Sequence, residues 1–433
     1  MAPYPNTSGI MTASRNANPA RAPRAGRTAR RWGGALRLAA PVLPVAALAL
    51  LAACNLDVTT PSRLQASQLD NPANAQLLVD GAAADFQCAY GDYVVVAGLI
   101  SGELADASQT ASRWSYDRRV IDPTESQYSQ FSCASLGVYT PLQTARFTNM
   151  STLAKLQGWN DTQVPNRQVL IAQTAAYAGY SVLLLGEGFC QAPAETLGPA
   201  LSQTQLFARA EELFGTAIAA AQAAKTAPDA TDEAIERADS LLNLAYVGRA
   251  RAQLDQGDLS GAAADAGLVP ADFVYTLTTY STAGRLSNRV YSENNQGASI
   301  TIGTAYRVPG TYPVELTDRT DSRRDPLWVQ RKYSGLSDAY VLASGAEAKL
   351  ILDEAEGTLT GAALVQARQT QLFLQGTRLY DIARFMKVDP ALVPLVPPAG
   401  TDYPEGGKYG DLGGNMCMPL PDIERANNPN IGV

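Results

Sequence analysis

The chain has 433 residues, no histidine and a formal charge of −7 at pH 7. The missing histidine removes Ser-His-Asp and Cys-His mechanisms, His-ligated zinc and haem, and the commonest general base. The acidic balance argues against nucleic acid, because phosphate binding needs a cationic face. Carboxylate-pair chemistry stays open, but Asp and Glu are too scattered to nominate a pair.

Residues 1–53 contain no Asp or Glu and carry seven arginines: Arg15, Arg21, Arg24, Arg27, Arg30, Arg31 and Arg37. An apolar stretch from Leu38 to Ala53, broken by Pro41 and Pro44, ends in Leu51-Ala52-Ala53-Cys54. A basic region, an apolar core and small residues before a cut site read as a secretory signal. A Cys directly after Leu-Ala-Ala resembles the bacterial lipobox, whose thiol is acylated before the chain is cut in front of it. The alternatives are an ordinary signal with a chance Cys, or an uncleaved anchor; the stretch is short and Pro-broken for a spanning helix. Met1 and Met11 both stand as possible starts. Removing the seven arginines leaves residues 54–433 with a formal charge of −14, long enough for one large domain or two.

With Cys54 acylated, Cys88, Cys133, Cys190 and Cys417 remain. An even number in an exported chain permits two disulfides in any of three pairings, and buried free thiols are the alternative. None has metal-ligand spacing.

Residues 55–70 read as a tether, with turn chemistry at Thr59-Thr60-Pro61-Ser62. A first helix is predicted to start at Asn71-Pro72, with Asn as cap and Pro in the first turn. Val79, Ala83 and Phe86 follow at helical spacing. Residues 93–135 read as a loop-rich insert, with Trp114, Tyr116 and Tyr128 among Ser and Gln. From 136 to about 269 the helical period dominates. Ile171, Ala175, Ala178, Val182 and Leu185 share one face; Leu206, Ala210, Leu213, Ala217 and Ala220 share another; Leu241, Ala245, Gly248 and Ala252 a third. Gly257-Asp258 stops that third helix, and Leu259–Ala266 starts a short one. Facing residues are mostly Ala and Gly, which lets axes approach closely, as in stacked tetratricopeptide-type pairs. The strict 34-residue signature is absent, and a generic helical bundle is the plain alternative.

Residues 271–345 change to Tyr, Thr, Ser, Gly and Asn, and read as a second insert of loops and short strands, such as Ser299–Gly303. Helices are expected again over 346–356 and 362–386. The Pro- and Gly-rich tail from Pro390 reads as irregular. The fold class is mainly α: one domain over 54–433, with a helical scaffold at about 136–269 and 346–386.

Several stretches resemble the SusD/RagB family of outer-membrane nutrient-uptake lipoproteins. Leu372-Phe373-Leu374-Gln375-Gly376-Thr377-Arg378-Leu379-Tyr380-Asp381-Ile382-Ala383-Arg384-Phe385 is similar to its late helix, although Gln375 and Ala383 replace charged residues. Met418-Pro419-Leu420-Pro421-Asp422-Ile423-Glu424 with Asn427-Asn428-Pro429-Asn430 resembles its "IP-x-x-E…NP" ending. Ala346-Glu347-Ala348-Lys349-Leu350-Ile351-Leu352-Asp353-Glu354-Ala355 resembles its "AE-x-x-LI-x-AEA" helix, and Asp321-Ser322-Arg323 and Lys332-Tyr333 its "D-x-R" and "KY" marks. The markers keep the family's order and span most of 54–433. Arg378, Asp381 and Arg384 recur every three residues, which allows ion pairs bracing that helix, and Gly376 permits close packing.

The resemblance implies a lipid-anchored protein of the outer membrane, facing outward. Such a protein captures a nutrient, often a glycan and in some members a peptide. It passes the nutrient to a SusC-like TonB-dependent barrel, and does no bond chemistry itself. Glycan binding needs flat aromatic faces with Asn, Gln, Asp or Arg for the hydroxyls. The candidates are Arg113, Trp114, Tyr116 and Tyr128 in the first insert, and Tyr275, Tyr291, Asn294 and Asn295 in the second; a loop tyrosine serves equally for local packing. No cofactor, metal site or catalytic residue is expected. The competing readings are a peptide-capturing member of the same family, a helical protein-interaction scaffold, and a carboxylate glycosidase with two acids roughly 5–9 Å apart.

Overall fold

The computed structural model describes residues 70–108, 111–130, 132–282, 284–321, 325–401 and 411–431. The expected signal, Cys54 and the tether as far as residue 69 lie outside the described residues, as do Ser322 and Arg323.

The first helix starts where its cap residues predict. A 3-10 turn, Pro72–Asn74, is capped by the Asn71 side chain, which accepts the Ala73 N–H at 3.0 Å. Helix α1, Ala75–Ser101, follows and stops at Gly102, whose φ is +79°. At 1.5 Å per residue it is about 40 Å long. The expectation of an insert from residue 93 is corrected: 93–101 is the second half of α1. Tyr93-Val94-Val95-Val96-Ala97 is apolar on every side and buried on every side. It lacks the polar face by which a surface helix is recognised.

Two short helices, α2 (Ala111–Asp117) and α3 (Ser126–Gln130), occupy the rest of the first insert. Then come α4 (Tyr139–Gly158), α5 (Arg167–Gly188), α6 (Gln203–Lys225), α7 (Asp232–Gln256) and α8 (Leu259–Ala266). Each packs on the one before, and α4 packs on α1, which gives a stack in chain order. Helix α6 begins with a capping box of Ser202 and Gln205. Helix α7 ends at Gly257 (φ +87°), and Asp258 caps α8 through the Gly261 N–H. Helix α5 is the one helix among the described residues long and apolar enough to cross a membrane, and its apolar stretch is buried inside the protein.

Small residues act here as sockets. A Cβ on Gly179 of α5 would sit 2.8 Å from the Phe214 ring of α6, and one on Gly248 of α7 would sit 2.4 Å from it. The same ring therefore fills a slot between two glycines on its two neighbouring helices. Gly186 does likewise for Phe207, at 2.6 Å.

Helices α9 (Gly345–Ala355), α10 (Gly361–Gln371) and α11 (Arg378–Val388) close the fold, with α9 against α7 and α8, and α11 against α1 and α5. The single helix expected over 362–386 is broken at 372–377, where Leu374 (φ +54°) and Gly376 (φ +79°) are left-handed. Long-range groups hold the break. Glu103 accepts the Leu374 N–H (3.2 Å), Lys332 Nζ donates to Phe373 O (2.6 Å), Tyr333 to Leu374 O (3.3 Å) and Tyr90 to Gln375 O (3.0 Å). A Cβ on Gly376 would touch Tyr93 at 3.2 Å, so the expected close packing is present.

The expected bracing is present too, and it reaches further than one helix. Arg384 pairs with Asp381 at 3.0 Å, with Glu354 of α9, and with Asp255 of α7 at 3.3 Å. Arg368 of α10 binds Asp381 at 2.8 Å. Burial pushes the Asp381 carboxyl up, but Arg368 and Arg384 outweigh it and hold it at about 2. Arg251 of α7 grips Glu187 of α5 through both oxygens (2.6 and 2.5 Å) and reaches Glu347 of α9 at 3.5 Å. Buried charges need such partners.

Four two-stranded antiparallel sheets decorate the helices. They pair β1 (Leu104–Asp106) with β5 (Ile300–Ile302), β2 (Gln191–Pro193) with β3 (Ala200–Ser202), β4 (Val274–Leu277) with β8 (Tyr340–Ser344), and β6 (Val314–Thr320) with β7 (Pro326–Gln330). The four cysteines form Cys88–Cys133 and Cys190–Cys417, so the free-thiol alternative falls. The second disulfide, with Cys190 N–H donating to Met418 O (2.9 Å) and Met418 N–H to Gly188 O (2.8 Å), pins the tail to the end of α5. Beyond it, Asn428 and Asn430 donate to Gly198 O and Leu197 O of the β2–β3 turn.

Candidate functional site

The two polar-aromatic inserts form one structure. Strand β1 lies in the first and β5 in the second, in the register Leu104↔Ile302 and Asp106↔Ile300. Gly303 donates its N–H to Glu103 O at 2.8 Å; a Cβ there would lie 1.8 Å from Gly102 O, so only glycine fits. Arg113 on α2 reaches Glu293 of the second insert at 2.7 Å and Ser108 Oγ at 3.3 Å. Glu293 also accepts from Ser299 Oγ (2.7 Å) and faces Arg289 (3.6 Å). Arg289 continues to Asp92 of α1 (3.1 Å) and to Cys133 O (2.9 Å). This chain of charges locks the inserts to each other and to the central helix.

Within the second insert, Tyr291–Gln296 winds as a π-helix, a form often found at functional sites. It carries three of the predicted residues. Asn294 is fully buried; its amide donates to Ile300 O (2.9 Å) and Trp328 O (3.0 Å) and accepts from Gln330 N–H (2.8 Å). Asn295 exchanges hydrogen bonds with the Gln330 carbonyl and side chain. These amides hold strand edges together. Tyr291 is half-buried against the core.

Tyr116 and Tyr128 are also fully buried, and Tyr116 donates to Leu136 O at 3.3 Å. With Asn294 they present no surface to a ligand. Tyr275 is drawn to another part of the fold: it lies opposite Ala343 on β8, and its hydroxyl meets that of Tyr177 on α5 at 2.9 Å. Arg113, Trp114, Tyr291 and Asn295 remain half-buried where the inserts meet.

None of these four lines the nearest hollow between the inserts and the tail, of about 160 Å³. The first insert supplies Gly102, Ala105, Asp117 and Arg119; the second supplies Thr304, Arg307 and Asp325; Val396 and Pro397 of the tail close it. Trp114 stands three residues before Asp117 on α2, on the same helical face. Arg119 is buried with φ +58°, and ties the tail down by donating to Gly413 O (2.8 Å) and Pro397 O (2.5 Å). Arg307 donates Nε–H to Ile302 O at 2.8 Å. Two arginines, two aspartates and a threonine thus line one small space. Such a set supplies donors and acceptors for several hydroxyls at once. The sequence reading missed Asp117, Arg119, Thr304, Arg307 and Asp325, which share no local pattern and are joined only by the β1–β5 pairing and the tail. Among the described residues no group of three or more Cys, Asp or Glu is placed to hold a metal ion.

No family model matches this sequence, and no curated protein matches it. Solved structures do match. A SusD superfamily protein of Bacteroides fragilis aligns with TM-score 0.57 and 12% identity, over 84% of this chain and 99% of its own. A SusD-like carbohydrate binding protein of Bacteroides vulgatus gives TM-score 0.58 and 14% identity, over 83% of this chain and 97% of its own. A laminarin binding SusD-like protein gives TM-score 0.53 and 14% identity, over 84% and 98%. The fold, mainly α with short strands, is that of the SusD superfamily.

Proposed function

We propose that the chain is a SusD/RagB-type surface lipoprotein that captures an oligosaccharide and passes it to a SusC-like TonB-dependent barrel. The observation that carries the reading is the fold, shared over 84% of the chain with a laminarin binding SusD-like protein. The hollow lined by Asp117, Arg119, Thr304, Arg307 and Asp325, with Trp114 one turn before Asp117 on α2, supports it, since sugars are held by an aromatic face with convergent polar groups. In this reading Trp114 takes the sugar's C–H face, and Asp117 and Arg307 take its hydroxyls. Tyr291 and Asn295 support the wall, and Arg113 positions α2. Cys54 carries the lipid, on the outer face of the outer membrane. In this reading the protein makes and breaks no bond, and incubation with the bound glycan should release no reducing sugar.

The test is in two parts. Extraction of the lipidated protein from its native membrane in mild detergent should recover a TonB-dependent barrel in near-equal amount. Titration with an oligosaccharide panel should find a ligand whose affinity falls in Trp114→Ala. Recovery of other envelope proteins without a barrel overturns the hand-off. Binding of peptides and of no glycan replaces the ligand class.

A further inference from the structure

The insert hollow is small for an oligosaccharide: about 160 Å³, where sites for drug-sized ligands run to roughly 300–1,000 Å³. A second hollow of about 690 Å³ opens on the other side of one short turn. That turn is the 3-10 segment Thr304–Tyr306. Thr304 and Arg307 line the first hollow, while Ala305, Tyr306 and Val308 line the second. Thr304 and Ala305 are exposed, so the crossing between the hollows is open. Three 3-10 residues rise only about 6 Å.

The lining of the second hollow differs in kind. Its other residues are Thr311, Tyr312, Gln366, Gln369 and Thr370. Phenols, amides and hydroxyls line it, and it has no carboxylate, lysine or arginine. Thr370 Oγ donates to Gln366 O at 2.9 Å, which leaves its oxygen to accept. The floor is rigid. Tyr306 and Tyr312 pack 5.0 Å apart by ring centroid, and each lies against Phe373, at 5.6 and 5.2 Å. Phe373 belongs to the break before α11 whose backbone Lys332 and Glu103 clamp. A neutral, preformed groove of aromatic edges and amides suits an uncharged polyhydroxylated chain and gives no anchor to a charged one.

We propose that this groove between the Thr304–Tyr306 turn and α10 is a second subsite, which receives the continuation of a neutral oligosaccharide whose end occupies the insert hollow. The inference rests on the carbohydrate reading above. It makes the protein selective for length: the first hollow has room for one terminal sugar ring, which a short oligosaccharide supplies, and a longer chain gains the second.

The test uses the full lipidated chain in detergent, calorimetric titration, and matched hexasaccharides and disaccharides of the laminarin, malto-, cello- and xylo- series. The variants are Gln366→Ala/Gln369→Ala, which removes two amides from half-exposed or exposed positions of α10, and Thr311→Trp, which fills the groove from an exposed position. The hexasaccharide that binds the unaltered protein should lose about tenfold in affinity in the double-alanine variant, as expected for two lost hydrogen bonds, and at least as much in Thr311→Trp, which blocks the groove. Its disaccharide should bind as before, with unchanged thermal midpoints. Unchanged hexasaccharide affinity in both variants overturns the second subsite and leaves the carbohydrate reading standing. An equal loss for both lengths overturns it too, because length selection is then absent. If no oligosaccharide of the panel binds the unaltered protein, the carbohydrate reading fails and takes this inference with it.

Discussion

Gly248→Ala puts the stack geometry to a sharp test. Local propensity favours the change: alanine in a helix interior is better than glycine by about 1 kcal/mol. The packing opposes it. The new Cβ would meet Phe214 Cε1 at 2.4 Å and Cζ at 2.5 Å, so the ring must retreat by about 1 Å to reach ordinary contact. It has nowhere to go, because a Cβ-sized space on the far side is already absent at Gly179, and Tyr180 stacks edge-on at 5.0 Å. Overpacking of this kind costs about 1–3 kcal/mol, occasionally more. The expected net effect is a loss of up to about 2 kcal/mol, once the propensity gain is offset. Urea unfolding followed by circular dichroism reads it as a lower midpoint at unchanged slope. Gly248→Ala/Phe214→Leu, which replaces the ring by a smaller aliphatic side chain, should recover part of that loss, with a coupling of about 0.5 kcal/mol or more between the two sites. A more stable Gly248→Ala, or strictly additive losses in the double variant, would refute the socket account.

Three further outcomes can be measured. Trp114→Ala should weaken glycan binding about tenfold, the scale of an aromatic contact with its buried area, while leaving the thermal midpoint nearly in place; a large midpoint shift with unchanged affinity would make Trp114 a packing residue. Glu103→Gln should flatten the stability profile. Burial pushes the Glu103 carboxyl up to about 7, against the Leu374 N–H, Arg378 and Lys332. Ionisation therefore disfavours the fold, and stability should fall as pH rises from about 4.5 to 7 in the unaltered protein; the glutamine variant, which keeps an acceptor for Leu374, should lack that fall in pH-dependent unfolding. Cys417→Ser opens a bond that spans 227 residues, and should cost about 2–4 kcal/mol, with earlier proteolysis of the tail beyond Pro390. Equal resistance to protease with and without that disulfide would mean that the Met418 backbone pairing alone secures the tail.

The scaffold was legible because its interactions are local or periodic. Asn71-Pro72 caps within three residues, and the Ala and Gly faces of α5, α6 and α7 repeat at helical spacing. The family-like markers turn out to be sites of charge pairing and clamping. Glu347 and Glu354 answer Arg251, Arg368 and Arg384, and Lys332-Tyr333 holds the carbonyls of Phe373 and Leu374. What stayed hidden has the opposite character. The second half of α1 carries no period because it is buried all round. The break at 372–377 reads as helix in any local window, since Leu372-Phe373-Leu374-Gln375 contains good helix formers. Only Tyr90, Glu103, Lys332 and Tyr333, all distant in sequence, impose its left-handed residues.

The candidate site divides along the same line. Tyr116, Tyr128 and Asn294 were chosen because aromatic and amide groups sit among polar residues in the chain. A polar neighbourhood in sequence says nothing about which way a side chain turns. Here the Tyr116 hydroxyl and the Asn294 amide satisfy backbone groups that irregular structure leaves unpaired once it is buried, and that need consumes Asn294 in particular. The side chains proposed above to meet a ligand are Trp114 and Asp117 on α2, and Thr304 and Arg307 just past β5. They lie about 190 residues apart in the chain and come together through the three-residue pairing of β1 with β5 and the Arg113–Glu293 ion pair. Gly303 permits that pairing because no side chain would fit against Gly102. The proposed binding face thus depends on a glycine that need contribute no contact to a ligand. A bulkier residue at 303 should separate the two halves of the site while leaving the helical stack beneath them folded.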